Sequence, residues 1–291
     1  MISSEEGGHL KEVLKMMINV LVLFFIACLP SLFHSQHFSF NGYLAAMKET
    51  IRNLSHPNQI VFINQKSGVE HSLFPFIIGP WFNTLSILFS AIIISFILSL
   101  FLVSLMYKYQ YFEKIIVVMN NILSIIPDVF YVPVSITIVI LIYQYTGTLL
   151  FAIASSQSSK AFIFPVLVLL VIPLVNSITL LKKLIDEERA SAYVELARSK
   201  GLNEFEVFSY HIIRNLMIGY LINMKQIVWI TLSSLLFLER VMNIMGVSVF
   251  IFEYNSPIVL FITFLLLYIP IALLFRLTQF TVHQVTGRGM V

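Results

Sequence analysis

Two ionisable residues stand inside long apolar stretches, where they could form an ion pair or line a path for a charged solute. Asp128 lies about ten residues into one stretch and Lys225 about nine into another, both counted from the ends assigned below to the cytoplasm. At about 1.5 Å per residue, both side chains would lie roughly 13–15 Å deep, near the middle of a bilayer. Because a charge there costs at least about 2.5–3.5 kcal/mol, such residues pair or face water. We therefore expect either an intramembrane ion pair or two walls of a translocation path.

A second candidate for chemistry is a set of four histidines early in the chain, His34, His37, His56 and His71. The His34-x-x-His37 spacing could begin a metal site. However, no Cys, Asp or Glu accompanies these histidines at the spacing that metal ligands usually show. A polar surface is the simpler interpretation, so we predict no metal site on this chain.

The composition indicates an integral membrane protein. Of its 291 residues, 58% are hydrophobic and only 11% are charged, whereas soluble domains carry about 25% charged residues. This excludes a water-soluble enzyme and a disordered chain. Cys28 is the only cysteine, so an internal disulfide is excluded as well. The net charge of +3 comes with no basic stripe, and we expect no nucleic-acid partner.

Six stretches are long and apolar enough to cross a bilayer, which takes about 20 residues. They are Met16–Phe33, Trp81–Met106, Val117–Tyr143, Ala161–Leu181, Leu216–Leu238 and Ile258–Phe275. Lipid leaves unpaired backbone groups without water, so the runs are predicted to be helices. The predicted fold class is an all-α polytopic membrane protein with six transmembrane helices. Pro127 and Pro133 are expected to kink the third helix.

The distribution of basic residues predicts the orientation. With the N-terminus inside, 12 Lys and Arg residues fall in inner segments and 5 in outer ones, which places both termini in the cytoplasm. The predicted organisation is then a first helix over residues 1–33, an extracytoplasmic loop over 34–80, and a core of five helices over 81–291. The core contains a cytoplasmic loop at 182–215.

That loop, called here the 182–215 segment, holds 12 of the 33 charged residues. Residues 186–200 are rich in helix formers, with acidic residues first and basic ones last, as a helix dipole prefers. Gly201 is predicted to be a left-handed helix cap, and Asn203 with Glu206 to form a capping box on a second helix. Its apolar face is predicted to comprise Phe205, Phe208 and Ile212. A solvated connector and a docking surface for a cytoplasmic partner both fit this helix–turn–helix.

The same segment resembles a known family. Glu195-Leu196-Ala197, followed three residues later by Gly201, resembles the EAA motif of ABC importer permeases. The wider strings Tyr193–Leu202 and His211–Asn215 are similar to the oligopeptide/dipeptide/nickel branch of that family. Weaker similarities extend the resemblance over about residues 124–246, at Ser124-Ile125-Ile126-Pro127, Phe164-Pro165, Pro173 and Leu238-Glu239-Arg240-Val241 to Gly246.

The sequence also departs from the branch at three places, which indicates a diverged member. Leu196 replaces the usual alanine of the motif, and Met245 replaces the proline that usually precedes Gly246. Thr286-Gly287-Arg288 stands where the branch often ends in aspartate-proline-arginine.

The resemblance implies a type I ABC importer permease in a bacterial cell membrane. Such a subunit binds no cofactor and is not an enzyme, because ATP is hydrolysed on partner chains; this chain has no Walker A motif. The implied partners are a second, different permease, two cytoplasmic ATPase subunits and an extracytoplasmic binding protein. The cargo would be a peptide or a similar small solute, a nickel complex included. The implied ATPase-coupling residues are Glu195, Ala197, Arg198, Lys200, Gly201, His211, Arg214 and Asn215.

Two other functional classes are alternatives to a permease subunit. An ion-coupled secondary transporter could use Asp128 and Lys225 without ATP. An intramembrane enzyme lacks support, because no Ser/His, Asp/Asp or HExxH constellation stands within the six apolar stretches.

Overall fold

Six helices in the part of the chain that the structure describes are long and apolar enough to cross a membrane. The computed structural model describes residues 2–34, 37–63, 68–155, 161–254 and 256–286. Within this part of the chain, the candidate spans are Leu14–Leu32, Ile78–Lys108, Asp128–Thr146, Ile163–Arg189, Glu204–Val241 and Pro257–Thr286. The prediction of an all-α polytopic membrane protein with six spans is confirmed.

The helices and strands follow one another along the chain with few long connections. The helices are α1 (Ile2–Cys28), α2 (Phe40–Leu54), α3 (Leu73–Phe76), α4 (Ile78–Lys108), α5 (Gln110–Ile125), α6 (Tyr131–Thr146), α7 (Ile163–Arg189), α8 (Ala192–Ser199), α9 (Glu204–Val207), α10 (Ile213–Val241), α11 (Ser248–Phe252) and α12 (Pro257–Thr286). Two antiparallel hairpins pair β1 (Phe33–His34) with β2 (His37–Phe38), and β3 (Val61–Ile63) with β4 (Glu70–Ser72). Both hairpins lie in the loop after the first span, for which the sequence had suggested no regular structure.

The described chain packs as two compact units. The first comprises Met1–Asn83 and Gly246–Leu273, and the second comprises Thr84–Met245 and Leu274–Val291. The return of residues 246–273 to the first unit was not predicted, because it depends on contacts between residues far apart in sequence.

The first unit has two apolar clusters. One joins the end of α1 to α12, through Phe24, Ala27 and Cys28 packed against Leu260 and Phe261. The other joins the β3–β4 hairpin to α11 and the start of α12, and its members include Ile60, Phe62, Leu73, Ile77, Phe250 and Tyr254. The loop between the first two spans is therefore a folded part of this unit.

In the second unit, α7 and α10 pack closely along their length. A Cβ atom at Gly219 would come within 2.9 Å of the Leu184 methyl groups, so the Leu184 side chain would have to shift to admit one. Between the same two helices, the Ser177 and Tyr220 hydroxyls share a buried hydrogen bond of 2.9 Å. The centre of the Tyr220 ring lies 4.6 Å from that of the Phe96 ring on α4. These contacts hold three candidate spans together.

The third predicted helix is two helices in the structure. The chain is extended at Ile126 and Pro127, and a short 3-10 turn over Asp128–Phe130 then leads into α6. A proline disfavours helical geometry in the residue before it, which explains the break after Ile125. Pro133 stands in the first turn of α6, where its missing N–H costs no hydrogen bond. The prediction of one kinked helix over residues 117–143 is therefore wrong.

The end of α10 is anchored to α4 by a buried carboxylate. Glu239 is 1% exposed, and Thr84 donates a 2.5 Å hydrogen bond to its Oε1 atom. Just beyond, Asn243 has a positive φ of 49°, and the Ile244 N–H donates to the Glu239 carbonyl at 2.9 Å. Asparagine tolerates this left-handed conformation, so it ends the helix here.

Candidate functional site

The first short helix of the 182–215 segment begins later than the sequence predicts. The α7 helix continues to Arg189, and α8 starts only after Ser191, whose backbone is extended. The acidic residues 186–188 therefore end α7 and do not begin the short helix, so the prediction of one helix that starts with them is wrong. Ion pairs from Lys182 to Asp186 and from Lys183 to Glu187 support the continued helix.

The glycine turn after α8 is confirmed. Gly201 has a φ of +85°, the left-handed conformation that glycine adopts most readily. The Leu202 N–H donates to the Ala197 carbonyl at 3.3 Å, and the Gly201 N–H donates to the Arg198 carbonyl at 2.9 Å. This pair of bonds is the Schellman motif, which satisfies the last carbonyls of a helix.

The capping box on the second helix is also confirmed. The Asn203 side chain accepts from the Glu206 N–H at 3.0 Å, and the Glu206 carboxylate accepts from the Asn203 N–H at 2.8 Å. The predicted apolar face is only partly buried: Phe208 and Ile212 are 4% and 0% exposed, whereas Phe205 is 59% exposed. A π-helical turn over Phe208–Ile212 joins α9 to α10 and shifts the register of the buried face.

A polar cluster fastens the segment to the ends of its two long helices. Tyr193 on α8 donates its hydroxyl to Glu188 at the end of α7. From α10, the Asn215 amide donates to the Glu188 Oε2 atom at 3.2 Å and to the Tyr193 hydroxyl at 3.3 Å. The His211 ring lies 6.4 Å from the Tyr193 ring. The cluster therefore contains two of the predicted coupling residues, His211 and Asn215.

Glu188 and Tyr193 were missed as site residues. Burial, and then the hydrogen bond to Glu188, raise the pKa of the Tyr193 phenol. The phenol therefore remains a donor at neutral pH. Tyr193 was part of the string that resembles the permease family, which was the signal that could have identified it.

We expect the Tyr193→Phe variant to lower the free energy of unfolding by about 1–2 kcal/mol, because Glu188 and Asn215 lose a partner. Chemical or thermal unfolding of the purified chain in detergent measures this change. Tyr210→Phe is the matched control: Tyr210 is 75% exposed, and its loss should cost less than about 0.5 kcal/mol. Equal effects of the two substitutions would show that the polar cluster contributes nothing to stability.

A second contact closes the turn between α8 and α9. The Arg198 guanidinium binds Glu204 with two bonds, Nε to Oε1 at 2.8 Å and Nη2 to Oε2 at 3.0 Å. These hydrogen bonds raise the pKa of Arg198 above its already high ordinary value. Both side chains are about half exposed, so the pair contributes modestly to stability. Its role here is to fix the geometry around Gly201.

A third network ties the segment to two further helices. The Lys182 ammonium lies 3.0 Å from the Glu113 carboxylate on α5, and Arg189 lies 3.6 Å from the same carboxylate. The Arg189 guanidinium also stacks 4.7 Å above the Tyr107 ring at the end of α4. Through these contacts, the end of α7 is braced against α4 and α5.

The outer surface of the segment exposes most of the predicted coupling residues. Glu195, Arg198, Lys200, Gly201, His211, Arg214 and Asn215 are all exposed. Apolar side chains lie among them, with Leu196 56% exposed and Phe205 59% exposed. Ala197 is the exception among them: its side chain is 5% exposed and packs inside the segment.

Asp128 does not lie deep within a continuous helix. It begins the 3-10 turn that follows the break at Pro127, at the very start of the candidate span Asp128–Thr146. The predicted depth of 13–15 Å assumed an unbroken helix, and the structure has no unbroken helix at this residue. The turn packs against α10, the helix that carries Lys225.

Lys225 is exposed on α10 and lies near aromatic rings. Its ammonium is 5.9 Å from the centre of the Phe275 ring, which also packs against Trp229. No ion pair joins Lys225 to Asp128, although the structure describes both residues. The structure therefore does not bring the two charges together as a pair. Gln226 and Ser233, seven residues apart and exposed, extend a polar surface along the same helix.

The histidines of the first loop form no site in the described part of the chain. His56 and His71 are exposed, and the His71 ring stacks 6.1 Å from that of Phe76. The side chains of His34 and His37 lie outside the described residues. Elsewhere in the described chain, no group of three or more His, Cys, Asp or Glu side chains is placed to hold a metal ion.

No protein-family model matches the chain, and a comparison with curated proteins finds no match. Membership of the ABC importer permease family therefore stays a prediction. It depends on the sequence resemblance over about residues 124–246, which is strongest in the 182–215 segment.

Proposed function

We propose that the chain is a permease subunit of a bacterial ABC importer that carries peptides or a similar small solute. In this proposal, the 182–215 segment docks on a cytoplasmic ATPase subunit, and the six spans form one side of the translocation path. A second permease completes the path, and an extracytoplasmic binding protein delivers the solute. ATP is hydrolysed on the ATPase partners, and this chain itself catalyses no reaction.

The surface of the segment supports the docking role. A partner-binding surface usually combines a few large apolar anchors with a polar rim. Leu196 and Phe205 are large, apolar and more than half exposed outside the long apolar runs. Exposed charged residues stand close to Leu196 in the sequence, among them Glu195 and Lys200. A merely solvated connector would not need two exposed anchors beside a rigid turn.

The bracing of the segment supports the coupling role. A docking surface can move the membrane helices only if it is rigidly attached to them. The Glu188–Tyr193–Asn215 cluster joins the segment to α7 and α10, while Glu113 and Tyr107 join the end of α7 to α5 and α4. A displacement of α8 would therefore be transmitted to four helices. This bracing is the observation that carries the proposal.

The polar surface of α10 supports a translocation path along this helix. A lysine exposed to acyl chains would be costly, so Lys225 is expected to face water. With no carboxylate paired to it among the described residues, its ammonium is free to attract a carboxylate of the solute. A peptide with a free C-terminus has such a group.

The proposal is tested by isolating the tagged chain from its native membranes in mild detergent and measuring the MgATP hydrolysis that co-purifies. We expect Leu196→Asp to reduce this activity at least about tenfold, because a charge in an apolar anchor site costs more than about 1.4 kcal/mol of binding. Leu149→Asp is the matched control. Leu149 is 57% exposed, against 56% for Leu196, and lies beyond the end of α6.

Two results would contradict the proposal. In the first, no ATPase activity co-purifies with the wild-type chain, and an ion gradient alone drives uptake into liposomes that contain it. This result would identify a secondary transporter. The second is an equal loss of ATPase activity in both aspartate variants, which would show that any new charge disrupts the complex and that Leu196 has no particular role.

A further inference from the structure

The α2 helix exposes a straight apolar stripe outside the candidate spans. Phe40, Leu44, Met47, Ile51 and Leu54 follow one another at spacings of four and three, which places them on one side of a helix. Met47 is half-buried, and the other four are 40–58% exposed. We call these five residues the α2 stripe.

The stripe lies beside the face by which α2 packs on its own unit, and Met47 belongs to both, because it packs against the apolar cluster of α1 and α12. That face is marked by the buried residues Ala46 and Thr50. Thr50 lies beside Cys28 of α1, with their oxygen and sulfur atoms 4.0 Å apart, and the Tyr43 hydroxyl donates to the Phe25 carbonyl at 3.2 Å. The helix is thus already held in place, and the stripe is left as an additional apolar surface.

The charges of α2 are arranged asymmetrically about the stripe. At about 100° per residue, Lys48 stands roughly 80° and Arg52 roughly 120° from the centre of the stripe, on its open side. Glu49 stands about 180° away, on the opposite side of the helix. All three side chains are exposed. Basic residues therefore flank the apolar surface, and the acidic residue is the most distant from it.

The position of α2 places the stripe at a membrane boundary. Phe25 and Cys28, which α2 contacts, lie in the last part of the candidate span Leu14–Leu32. At about 1.5 Å per residue, they are within roughly 10 Å of its end. The hairpin before α2 adds Phe33 and Phe38, whose rings are 71% and 68% exposed and 6.1 Å apart.

We propose that α2 lies in the plane of the membrane interface and binds lipid. The α2 stripe enters the boundary between headgroups and acyl chains, and Lys48 with Arg52 contacts lipid phosphates. Amphipathic helices that lie on membranes combine an apolar side with basic residues at its edge, and insert by about 5–10 Å. The inference is independent of the proposed transport function, because it depends only on the first unit of a membrane protein.

Site-directed spin labelling of the full-length chain tests this placement. In a Cys28→Ala background, Leu44→Cys, Ile51→Cys and Glu49→Cys each carry a nitroxide in nanodiscs of phosphatidylcholine and phosphatidylglycerol. We expect the ratio of collisions with oxygen to collisions with a water-soluble nickel chelate to be several-fold higher at 44 and 51 than at 49. Glu49 is the matched control on the same helix.

The other outcomes overturn the proposal. Preferential collision with the nickel chelate at all three positions would place the stripe in water. Low accessibility to both reagents at 44 and 51 would show that a protein surface covers the stripe, either a second copy or another partner. A further check uses Lys48→Gln with Arg52→Gln. This change should lower the ratio at 44 in both lipids, and more in phosphatidylglycerol-containing nanodiscs, because both headgroups carry a phosphate but only phosphatidylglycerol has a net negative charge. No change in either lipid would remove the phosphate contact.

Discussion

Replacing Gly201 by valine is expected to abolish ATP-coupled uptake while the protein remains in the membrane in normal amounts. Gly201 holds a φ of +85°, where an L-residue pays roughly 1–2 kcal/mol and a β-branched one is a clear outlier. No atom lies within 4 Å of the position that its Cβ would occupy, so the effect is conformational and not steric. The turn would relax, and the exposed surface around Leu196 would no longer be held in one orientation.

Two controls separate this effect from general destabilisation. Gly201→Asn should retain coupling, because asparagine tolerates the left-handed conformation. Gly147→Val introduces the same strain elsewhere: Gly147 ends α6 with a φ of +69° and also has open space around it. It should leave coupling intact. Uptake and stimulated ATPase activity in proteoliposomes measure all three variants. If ATPase stimulation survives Gly201→Val, the assignment of the segment to coupling is wrong.

The second large effect is expected at Lys225. Lys225→Met keeps an unbranched side chain that is one atom shorter and removes the charge, and we expect uptake of a peptide with a free C-terminus to fall about ten- to a hundredfold. This is the factor that corresponds to the loss of a charge-assisted hydrogen bond of about 1.5–3 kcal/mol. Lys225→Arg should retain most of the uptake. A peptide with an amidated C-terminus should lose the dependence on residue 225.

The same variants decide between a path residue and an ion pair. Breaking a buried pair costs about 3–5 kcal/mol because one charge is left unpaired. Since Lys225 is exposed and has no described pairing with Asp128, we expect Lys225→Met and Asp128→Asn to change unfolding by less than about 1 kcal/mol each. Their effects should be additive. A strong coupling in this double-mutant cycle, or rescue by the charge swap, would establish the pair.

Features that depend on neighbouring residues were predicted well. The Gly201 turn and the Asn203–Glu206 capping box are made by hydrogen bonds among residues 197–206. Such bonds join groups a few positions apart, so the pattern of residue types is sufficient to predict them. The number of spans followed in the same way, because each span needs a continuous apolar run of its own.

The break in the third helix shows where local patterns were insufficient. The apolar run continues through Pro127, and composition alone does not distinguish a kink from a complete break. The 3-10 turn packs against α10, and the break moved Asp128 from the predicted middle of a helix to the beginning of a span. Likewise, residues 182–189 continue α7. Ion pairs from Lys182 and Arg189 to Glu113, and an ion pair within the helix, support this continuation.

By itself, the sequence determined that this is a polytopic helical membrane protein with one charged helix–turn–helix segment, because apolar runs and local caps depend on consecutive residues. Only the tertiary structure decided which side chains of that segment face outward. It buried Ala197, exposed Leu196 and joined Glu188, Tyr193 and Asn215 into one cluster. It also placed the packing face of α2 on α1 and so left the α2 stripe open. The reason is physical: exposure depends on what packs against a residue, and those neighbours are distant in sequence.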